Sequence, residues 1–306
     1  MTGASGFLGS YLAEACRVRN WELIGVDPHT PAAPELWGRF AHTAIVDADF
    51  AGLLEGRRIS RCFHLAGSAA VSMSMAEPWT DFASHVPGTA KLLDYIKSAQ
   101  PDCHVVFFSS AAVYGQPERL PVSETQAARP ISPYGAHKHL VELLLSHYSR
   151  IYGLTTSVLR VFSAYGKYQR RLLFWDLLRK WDDARRAGLT TVHAFGTGEE
   201  TRDFIHAIDV ARAAVLVSDH RVPGETQIVN VASGCETTIR DAARTLFAGA
   251  PGADVKFSGE ARQGDPANWV ADITRLETLG YRPSVSLADG LKEYAEWFGV
   301  AATARL

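Results

Sequence analysis

The sequence has few of the residues that mark secreted, metal-binding or membrane proteins. Its 306 residues include only four cysteines, with no Cys-x2-Cys pair and no His/Cys cluster at metal-ligand spacing: Cys16, Cys62, Cys103 and Cys235. Scattered cysteines of this kind indicate reduced thiols in the cytosol, and they predict neither disulfides nor a metal site. No apolar run approaches the roughly 20 residues of a membrane span, and no signal peptide is visible. We therefore expect a cytoplasmic protein without a bound metal.

Charge of one sign is not in excess either. Lysine and arginine number 31 and aspartate and glutamate 33, which gives a net charge of −2 and a pI of about 6.6. Nucleic acids and anionic membranes attract strongly basic proteins, so the composition favours neither partner. The hydrophobic share of 47% and the charged share of 21% are ordinary for a globular protein. The length allows one large domain or two unequal ones.

Short apolar segments with the character of strands alternate with helical stretches. The predicted strands are 21–27, 42–48, 60–67, 104–110 and 156–166, and the predicted helices lie near 8–19, 80–99 and 134–152. These strands are apolar on both faces, as expected when helices cover a sheet on both sides. The repeated strand-helix-strand pattern predicts an α/β fold, namely a Rossmann doubly wound parallel sheet.

The pattern changes after Gly166, where a basic and aromatic helix replaces the alternating strands and helices. We expect a smaller α/β domain that is partly interleaved with the first. Residues 1–165, with about 204–232, would form the nucleotide-binding domain, and residues 166–203 and 233–306 the substrate domain.

The glycines Gly3, Gly6 and Gly9 have the spacing of a loop that binds a dinucleotide pyrophosphate. Glycine allows the backbone to approach the phosphates closely, and the helix that follows presents its positive N-terminus to them. The spacing is weak evidence by itself, since small-residue turns are common. Asp27 strengthens it, because a carboxylate after the second strand binds ribose hydroxyls and repels a 2′-phosphate. This arrangement favours NAD over NADP.

Loops of this kind normally follow a buried strand, yet the printed sequence begins at the loop. Met1 occupies the position where the last valine of such a strand is usual. We expect either that a GTG valine codon was taken as the start, so that the first strand lies upstream, or that the chain is a native or cloned truncation. A truncated chain could also be inactive.

Tyr134 and Lys138 lie four residues apart at the predicted start of a helix, which places both on one face. A lysine ammonium near a phenol favours the anion and predicts a lowered tyrosine pKa, as a general base requires. Ser109 and Ser110 end the strand before this helix, where a hydroxyl can bind a substrate oxygen. Such a Tyr-x3-Lys pair is common on helix surfaces, and only its combination with the loop and Asp27 makes it specific.

Together these motifs resemble the extended short-chain dehydrogenases/reductases, in the NAD-dependent epimerase/dehydratase family that acts on nucleotide sugars. The resemblance covers nearly the whole chain and also includes Asp27. Its motifs are TGASGFLG (2–9), HLAG (64–67), SSAAVYG (109–115), YGAHK (134–138), LRVFSAYG (159–166), TRDFIHAIDVARA (201–213) and RQGDPANWVAD (262–272).

The resemblance implies a role for each of several residues. The catalytic triad would be Ser110, Tyr134 and Lys138. The contacts to NAD would come from Gly3, Ser5, Gly6, Phe7, Leu8, Gly9, Asp27, Asp47, Leu65, Ala66, Gly67, Ser109, Tyr134 and Lys138, with Asp47, or else Asp49, facing the adenine. The nucleotide sugar would contact Ser110, Ser163, Arg170, Arg171, Arg202, Arg262 and Asp265, and the guanidinium groups of Arg202 and Arg262 suit its diphosphate.

The two residues after Ser110 bear on the reaction type. By resemblance, 4,6-dehydratases have an Asp-Glu pair there and decarboxylases commonly a glutamate, whereas this chain has Ala111 and Ala112. Alanine cannot transfer protons, so the pair favours a 4-epimerase that acts through a transient 4-keto sugar. A reductase or an unusual dehydratase of the same family remains an alternative. A non-catalytic NAD-binding scaffold is disfavoured, because all three triad residues are present.

Some positions depart from the family pattern and leave the sugar open. Ser163 replaces a usual asparagine, and His85 stands where asparagine is also usual. We interpret His85 as an ordinary helix-face residue, His64 as structural, and Arg170 and Arg171 as candidate ligands for a phosphate or a uronate carboxylate. The resemblance also implies a homodimer formed by the helices near 80–99 and 134–152.

Overall fold

The computed structural model describes residues 1–68, 70–250, 252–260 and 267–303, with side chains described as far as residue 299. The α-helices are α1 (Phe7–Val18), α2 (Phe50–Leu54), α3 (Val71–Ala76), α4 (Pro78–Ala99), α5 (Pro133–Tyr152), α6 (Leu172–Arg186), α7 (Ala207–Asp219), α8 (Ile239–Leu246), α9 (Thr274–Thr278) and α10 (Leu287–Thr303). The strands are β1 (Ile24–Val26), β2 (Arg39–Ala41), β3 (Arg61–His64), β4 (His104–Ser110), β5 (Thr156–Val161), β6 (Ser163–Tyr165), β7 (Thr191–Ala194), β8 (Thr201–His206), β9 (Thr226–Val231), β10 (Glu236–Thr238) and β11 (Asp254–Phe257).

A parallel four-stranded sheet in the order β3-β4-β5-β9 forms the centre of the molecule. Alternate residues of β4 enter different cores, as the two-residue period of a strand requires. Val106 and Phe108 pack with α1 and α7, whereas Val105 and Phe107 pack with α4 and α5. The predicted parallel sheet with helices on both faces is therefore confirmed.

A second parallel pair of strands, β1-β2, is joined to this sheet through Thr2. Thr2 makes parallel bridges to Val26 on one side and to His64 on the other. Beyond Thr2, a cavity of about 390 Å³ separates the two groups of strands, with Trp21, Phe50 and Ile96 among its walls. The predicted first strand upstream of the loop stays a prediction.

The strand predicted at 42–48 is wrong. The strand is Arg39–Ala41, and the residues after it form turns in which Asp47 N–H donates to Ala44 O (3.0 Å). Ile45 is nevertheless buried, because a turn can anchor an apolar side chain against α4 at Gly88 without extended backbone. The apolar residues of the segment therefore reflect burial and not strand formation.

The segment 156–166, predicted as one strand, forms two. Strand β5 belongs to the central sheet, while β6 belongs to a three-stranded sheet in the order β10-β8-β6. Phe162 lies between them and donates its N–H to Val231 O at 3.0 Å. A buried run of apolar residues does not show where the chain changes sheets, and this is why the sequence predicted one strand.

A separate hydrophobic core supports the C-terminal part of the chain. Tyr165, Phe174, Leu246 and Tyr294 bring together β6, α6, α8 and α10, and the parallel pair β11-β7 packs at its side. Trp175 and Trp181 pack against this core. Within the ranges described above, no helix combines the length and apolar character needed to cross a membrane.

Candidate active site

The glycine loop forms a tight cradle at the start of α1. Gly3 has a φ of +66°, and a Cβ added to it would lie 2.7 Å from the backbone of Leu65. A Cβ on Gly9 would lie 2.4 Å from the carbonyl oxygen of Gly3. Gly6 is the N-cap of α1, and none of the described side chains caps this helix. The first N–H groups of α1 are therefore directed at the loop, where they can bind an anion.

Two of the residues next to these glycines pack as apolar side chains, and a third fixes the loop through its hydroxyl. Phe7 packs edge to face against Tyr11, and Leu8 packs against the core around α1. Ser5 donates its hydroxyl to the carbonyl oxygen of His29 at 2.6 Å, which fixes the loop after β1 against the glycine loop.

Asp27 lies directly after β1 and is almost fully buried, with 7% of its surface exposed. Its Oδ2 accepts a hydrogen bond from Ser5 N–H (3.2 Å), and its Oδ1 accepts one from His29 N–H (2.8 Å). The carboxylate thus touches the glycine loop, and its contact with a ribose stays a prediction. Asp49 caps α2 by accepting from Gly52 N–H, and Asp47 is exposed in a turn. The contact of Asp47 with the adenine stays a prediction.

The loop after β3 lies directly against the glycine cradle. Leu65 N–H donates to Thr2 O (3.1 Å), and Ala66 N–H donates to Thr2 Oγ1 (3.3 Å). Gly67 has a φ of +131°, a conformation that side chains rarely adopt. The loops that follow Thr2, β1 and β3 therefore meet at one edge of the sheet. This edge is the usual ligand crevice of such folds.

The two serines that end β4 have different environments. Ser110 Oγ accepts from Ala112 N–H at 3.2 Å and caps the short 3-10 helix Ala111–Tyr114. Ser109 donates to Glu142 Oε1 at 2.5 Å, and Glu142 also forms a buried ion pair with Arg160 at 2.7 Å. The hydroxyl of Ser109 is thus engaged inside the protein, which leaves its backbone for the predicted cofactor contact.

Tyr134 occupies the first turn of α5 and is 9% exposed. Ser132 caps this helix by accepting from Gly135 N–H (3.2 Å), and Pro133 fits the first helical position. The N–H of Tyr134 donates to Ser74 Oγ at 3.0 Å, which joins α3 to α5. These contacts fix the backbone that carries the phenol.

Burial raises the pKa of Tyr134 to about 12, although hydrogen bonding to Ser110 lowers it. Asp81 raises it further, and the charge of Arg171 opposes this effect. The net lowering predicted from the lysine is therefore wrong in this structure, because desolvation of the phenolate outweighs the hydrogen bond to Ser110 and the charge of Arg171.

Lys138 is buried one turn after Tyr134. Its Nζ donates to Phe108 O at 2.9 Å and lies 5.9 Å from the centre of the Tyr134 ring. Burial lowers the pKa of Lys138 to about 8, while Asp81 and Glu142 raise it. The structure therefore brings Ser110, Tyr134 and Lys138 together at the end of β4, beside the meeting point of the loops.

The predicted substrate residues lie farther along the cleft. Arg171 is exposed at the N-cap of α6, and its positive charge acts to lower the pKa of Tyr134. Arg170 instead stacks over Trp297 at 5.8 Å, on α10. The residues that flank this segment, Tyr168 and Leu172, have φ values near +70°, which is rare for side chains of this size.

Ser163 and Arg202 belong to the same three-stranded sheet, at the start of β6 and within β8. Arg202 Nη1 donates to the carbonyl oxygen of Thr201 at 2.7 Å, and its guanidinium lies over Trp269. Arg262 and Asp265 lie outside the residues that the structure describes.

A model of the NAD dependent epimerase/dehydratase family matches residues 1–232. The chain belongs to this family. It is similar to the UDP-glucose 4-epimerase of Mycolicibacterium smegmatis, with 33% identity over 308 residues that cover 97% of each chain. The family resemblance inferred from the motifs is confirmed.

Two solved structures extend the likeness to the whole fold. One is UDP-N-acetylglucosamine 4-epimerase from Methanobrevibacter ruminantium in complex with UDP-N-acetylmuramic acid, with 28% identity and a TM-score of 0.85 over 98% of this chain and 97% of that one. The other is MoeE5 in complex with UDP-glucose and NAD, with 27% identity and a TM-score of 0.86 over 98% of each chain.

The protein is therefore an enzyme of an NAD-dependent family, and NAD is its cofactor. The structure fits that cofactor. The cradle has no space for a Cβ at Gly3 or Gly9, the N-terminus of α1 is free for the pyrophosphate, and Asp27 stands at the loop where a ribose is bound in such folds.

Sequence reasoning missed a polar cluster between α4 and α5. Asp81 and His85 lie one turn apart on α4, and His137 lies on α5 next to the triad. Asp81 accepts hydrogen bonds from Ser68 Oγ and from His137 Nδ1, the latter at 2.6 Å. The available signal was the Asp-x3-His spacing on the face of α4 that the predicted fold buries.

Proposed function

We propose that this family member is an NAD-dependent nucleotide-sugar 4-epimerase that acts through a transient 4-keto sugar. The observation that carries the proposal is a complete Ser110–Tyr134–Lys138 cluster followed by two alanines. Ala111 and Ala112 are buried, and neither can donate or accept a proton. An epimerase needs only one proton-transfer site at C4, whereas the dehydratase pattern needs further acids and bases at these positions.

In this proposal Tyr134 takes the proton of the C4 hydroxyl, and Ser110 holds the same oxygen by a hydrogen bond. Bound NAD supplies the hydride acceptor and, in the return step, the hydride donor. The Lys138 ammonium group lies 5.9 Å from the centre of the Tyr134 ring and stabilises the phenolate electrostatically. Return of the proton from Tyr134 completes the cycle, so no net oxidation or reduction is required.

We further propose that the C-terminal part of the chain, residues 166–203 and 233–306, holds the nucleotide sugar. Arg202 lies on β8 of that part, and Arg171 extends from α6 toward the triad. Guanidinium groups suit both a diphosphate and a sugar carboxylate. The identity of the nucleotide and the sugar is therefore left to a substrate panel.

We also propose that the enzyme is a homodimer. The paired helices α4 and α5 expose apolar side chains at helical spacing, Trp79 on α4 and Leu140, Leu143 and Ile151 on α5. Exposed apolar stripes of this kind are typical of subunit interfaces.

The first experiment measures the nucleotide released from the denatured protein, followed by incubation with UDP- and dTDP-hexoses. We expect near-stoichiometric NAD(H) and interconversion of one pair of C4 epimers without added cofactor. Tyr134→Phe should retain the nucleotide and reduce turnover by at least about 100-fold. Net consumption of NADPH would identify a reductase, a 4-keto-6-deoxy product a dehydratase, and full turnover by Tyr134→Phe would contradict the mechanism.

A further inference from the structure

A buried polar network next to the triad joins α5 to the ends of two strands. Glu142 on α5 is 4% exposed, and its Oε1 accepts a hydrogen bond from Ser109 Oγ at 2.5 Å. Arg160 donates to the same carboxylate twice, from Nε to Oε1 at 3.1 Å and from Nη2 to Oε2 at 2.7 Å. Ser109 of β4 and Arg160 of β5 are paired neighbours in the sheet. These three bonds fix the carboxylate against both strand ends.

Lys138 contacts the preceding residue of the same strand. Its Nζ donates to Phe108 O at 2.9 Å, and Phe108 comes directly before Ser109. Lys138 and Glu142 are four residues apart on α5, a spacing that places them on one face of the helix. The cationic and the anionic side chain therefore meet consecutive residues of β4 and lie next to each other at the end of that strand.

Glu142 carries its negative charge at neutral pH. Burial raises the pKa of this carboxyl group, but the hydrogen bonds from His139 and Arg160 outweigh burial and hold the pKa below its usual value. Arginine does not lose its proton in proteins, so the buried pair stays ionised. A fixed negative charge is thus present beside Lys138 throughout the neutral and alkaline range.

Most other titratable groups that face Lys138 are neutral at pH 7. Besides Glu142, they come from α4, β3 and α5: Asp81, His85, His64 and Tyr134. Burial lowers the pKa of the two histidines to about 4 and about 3, and it raises that of the tyrosine to about 12. In the described part of the chain, the charges that oppose the effect of burial on Lys138 are therefore those of two carboxylates.

The two carboxylates differ in their position relative to Tyr134. Burial raises the pKa of Tyr134 and Asp81 raises it further, so Asp81 opposes the phenolate while it supports the lysine cation. Glu142 follows Tyr134 by eight residues, which is about 12 Å along a helix, but Lys138 by only four, about 6 Å. Its charge therefore acts on the lysine more strongly than on the phenol.

We propose that Glu142 is a positioning residue for the triad, whose fixed negative charge holds Lys138 in its cationic form. Ser109 and Arg160 keep the carboxylate in place for this task. The inference rests on the proposed function, in which the lysine cation stabilises the Tyr134 phenolate. Removal of the charge should lower the pH at which Lys138 loses its proton.

The test compares Glu142→Gln with the double variant Glu142→Gln/Arg160→Met. Glutamine keeps an acceptor for Ser109 but leaves Arg160 buried without a counter-charge, which is strongly destabilising. The double variant removes both charges and should melt at a higher temperature than the single variant. Loss of the arginine cation alone would raise the pKa of Lys138, so a lowering that remains in the double variant is due to the carboxylate.

Carbon-13 resonances of the lysine Cε atoms measure this titration without relying on activity, with Lys138 identified through Lys138→Arg. We expect Lys138 to titrate near pH 8 in the wild-type protein and at least about half a pH unit lower in the double variant. In the active enzyme, the alkaline fall of kcat/KM should move by the same amount.

Asp219→Asn provides the matched control. Asp219 also forms ion pairs with arginines, Arg19 and Arg61, but Arg61 begins β3 whereas the triad lies where the parallel strands end. This variant should leave the titration of Lys138 near pH 8.

A purely structural role of Glu142 predicts a lower melting temperature in Glu142→Gln and an unchanged titration of Lys138 in both variants. That result would overturn the inference while leaving the proposed function intact. A lowered titration in a protein that interconverts no nucleotide sugars would support the charge effect and overturn the proposed function.

Discussion

At the residue scale, Lys138 changes its charge state closer to neutral pH than Tyr134 does. Burial brings its pKa down to about 8, whereas the pKa of Tyr134 is raised to about 12. The lysine is a cation below pH 8 and becomes neutral above it. In the proposed mechanism this cation stabilises the anionic form of Tyr134, so loss of its charge removes that stabilisation.

We therefore predict that kcat/KM for epimerisation falls as the pH rises through about 8. Lys138→Arg keeps the charge at high pH, so its residual activity should not show this alkaline limb. The measurement is the pH profile of kcat/KM for both proteins between pH 6 and 10. The same alkaline limb in Lys138→Arg would show that another group is responsible.

The sequence predicted the triad because Tyr134 and Lys138 belong to one helix and their spacing defines their relative position. It could not predict that Ser109 turns its hydroxyl to Glu142, 33 residues away, or that His85 is wholly buried. These arrangements depend on how helices dock on the sheet. Local spacing contains no information about a partner on another element.

At the scale of elements, the helices were predicted more accurately than the strands. Helices α1, α4 and α5 lie within two residues of the predicted ranges, since their amphipathic periods extend over three or more turns. The strand β2 has only three residues, and Ile45, which suggested a strand, is buried in a turn. A short strand has too few residues to establish a period.

The helix pair α4–α5 also presents the surface proposed for dimerisation. Leu143 on α5 is 53% exposed in the middle of the apolar stripe. A glutamate there would place a charge in the interface, so Leu143→Glu should change the mass in solution from twice 33.4 kDa to that of one chain. Analytical ultracentrifugation measures this directly.

Leu189→Glu provides the matched control, because Leu189 is also exposed, at 60%, but follows α6 and belongs to neither of the paired helices. It should leave the mass unchanged. A wild-type protein with the mass of one chain, or a dimer that persists in Leu143→Glu, would contradict the proposed interface.

At the scale of the whole molecule, buried neutral histidines connect distant parts of the fold. His64 Nδ1 lies 2.6 Å from Oγ1 of Thr2, the residue that bridges β3 and β1. His104 hydrogen bonds to both Ser218 and Ser157. Burial lowers the pKa to about 3 for His64 and to about 4 for His104 and His85. Each of these residues has a pKa near 6.5 in the unfolded chain.

The sign of the pH dependence follows from these shifts. Between about pH 6.5 and 4 the unfolded chain binds protons that the folded protein does not, so acid favours unfolding. Three such histidines give a slope that approaches three protons, or roughly 4 kcal/mol of unfolding free energy for each pH unit. Urea unfolding of the protein at several pH values between 7.5 and 5 measures this slope.

His104→Gln tests whether individual histidines produce the effect. Glutamine has a donor and an acceptor with which to replace the bonds to Ser218 and Ser157, but it does not titrate. The variant should therefore lose about one proton from the slope, whatever its stability at pH 7.5. A wild-type slope of one proton or less would mean that the histidines titrate alike in both states, and it would contradict their burial as the source of acid sensitivity.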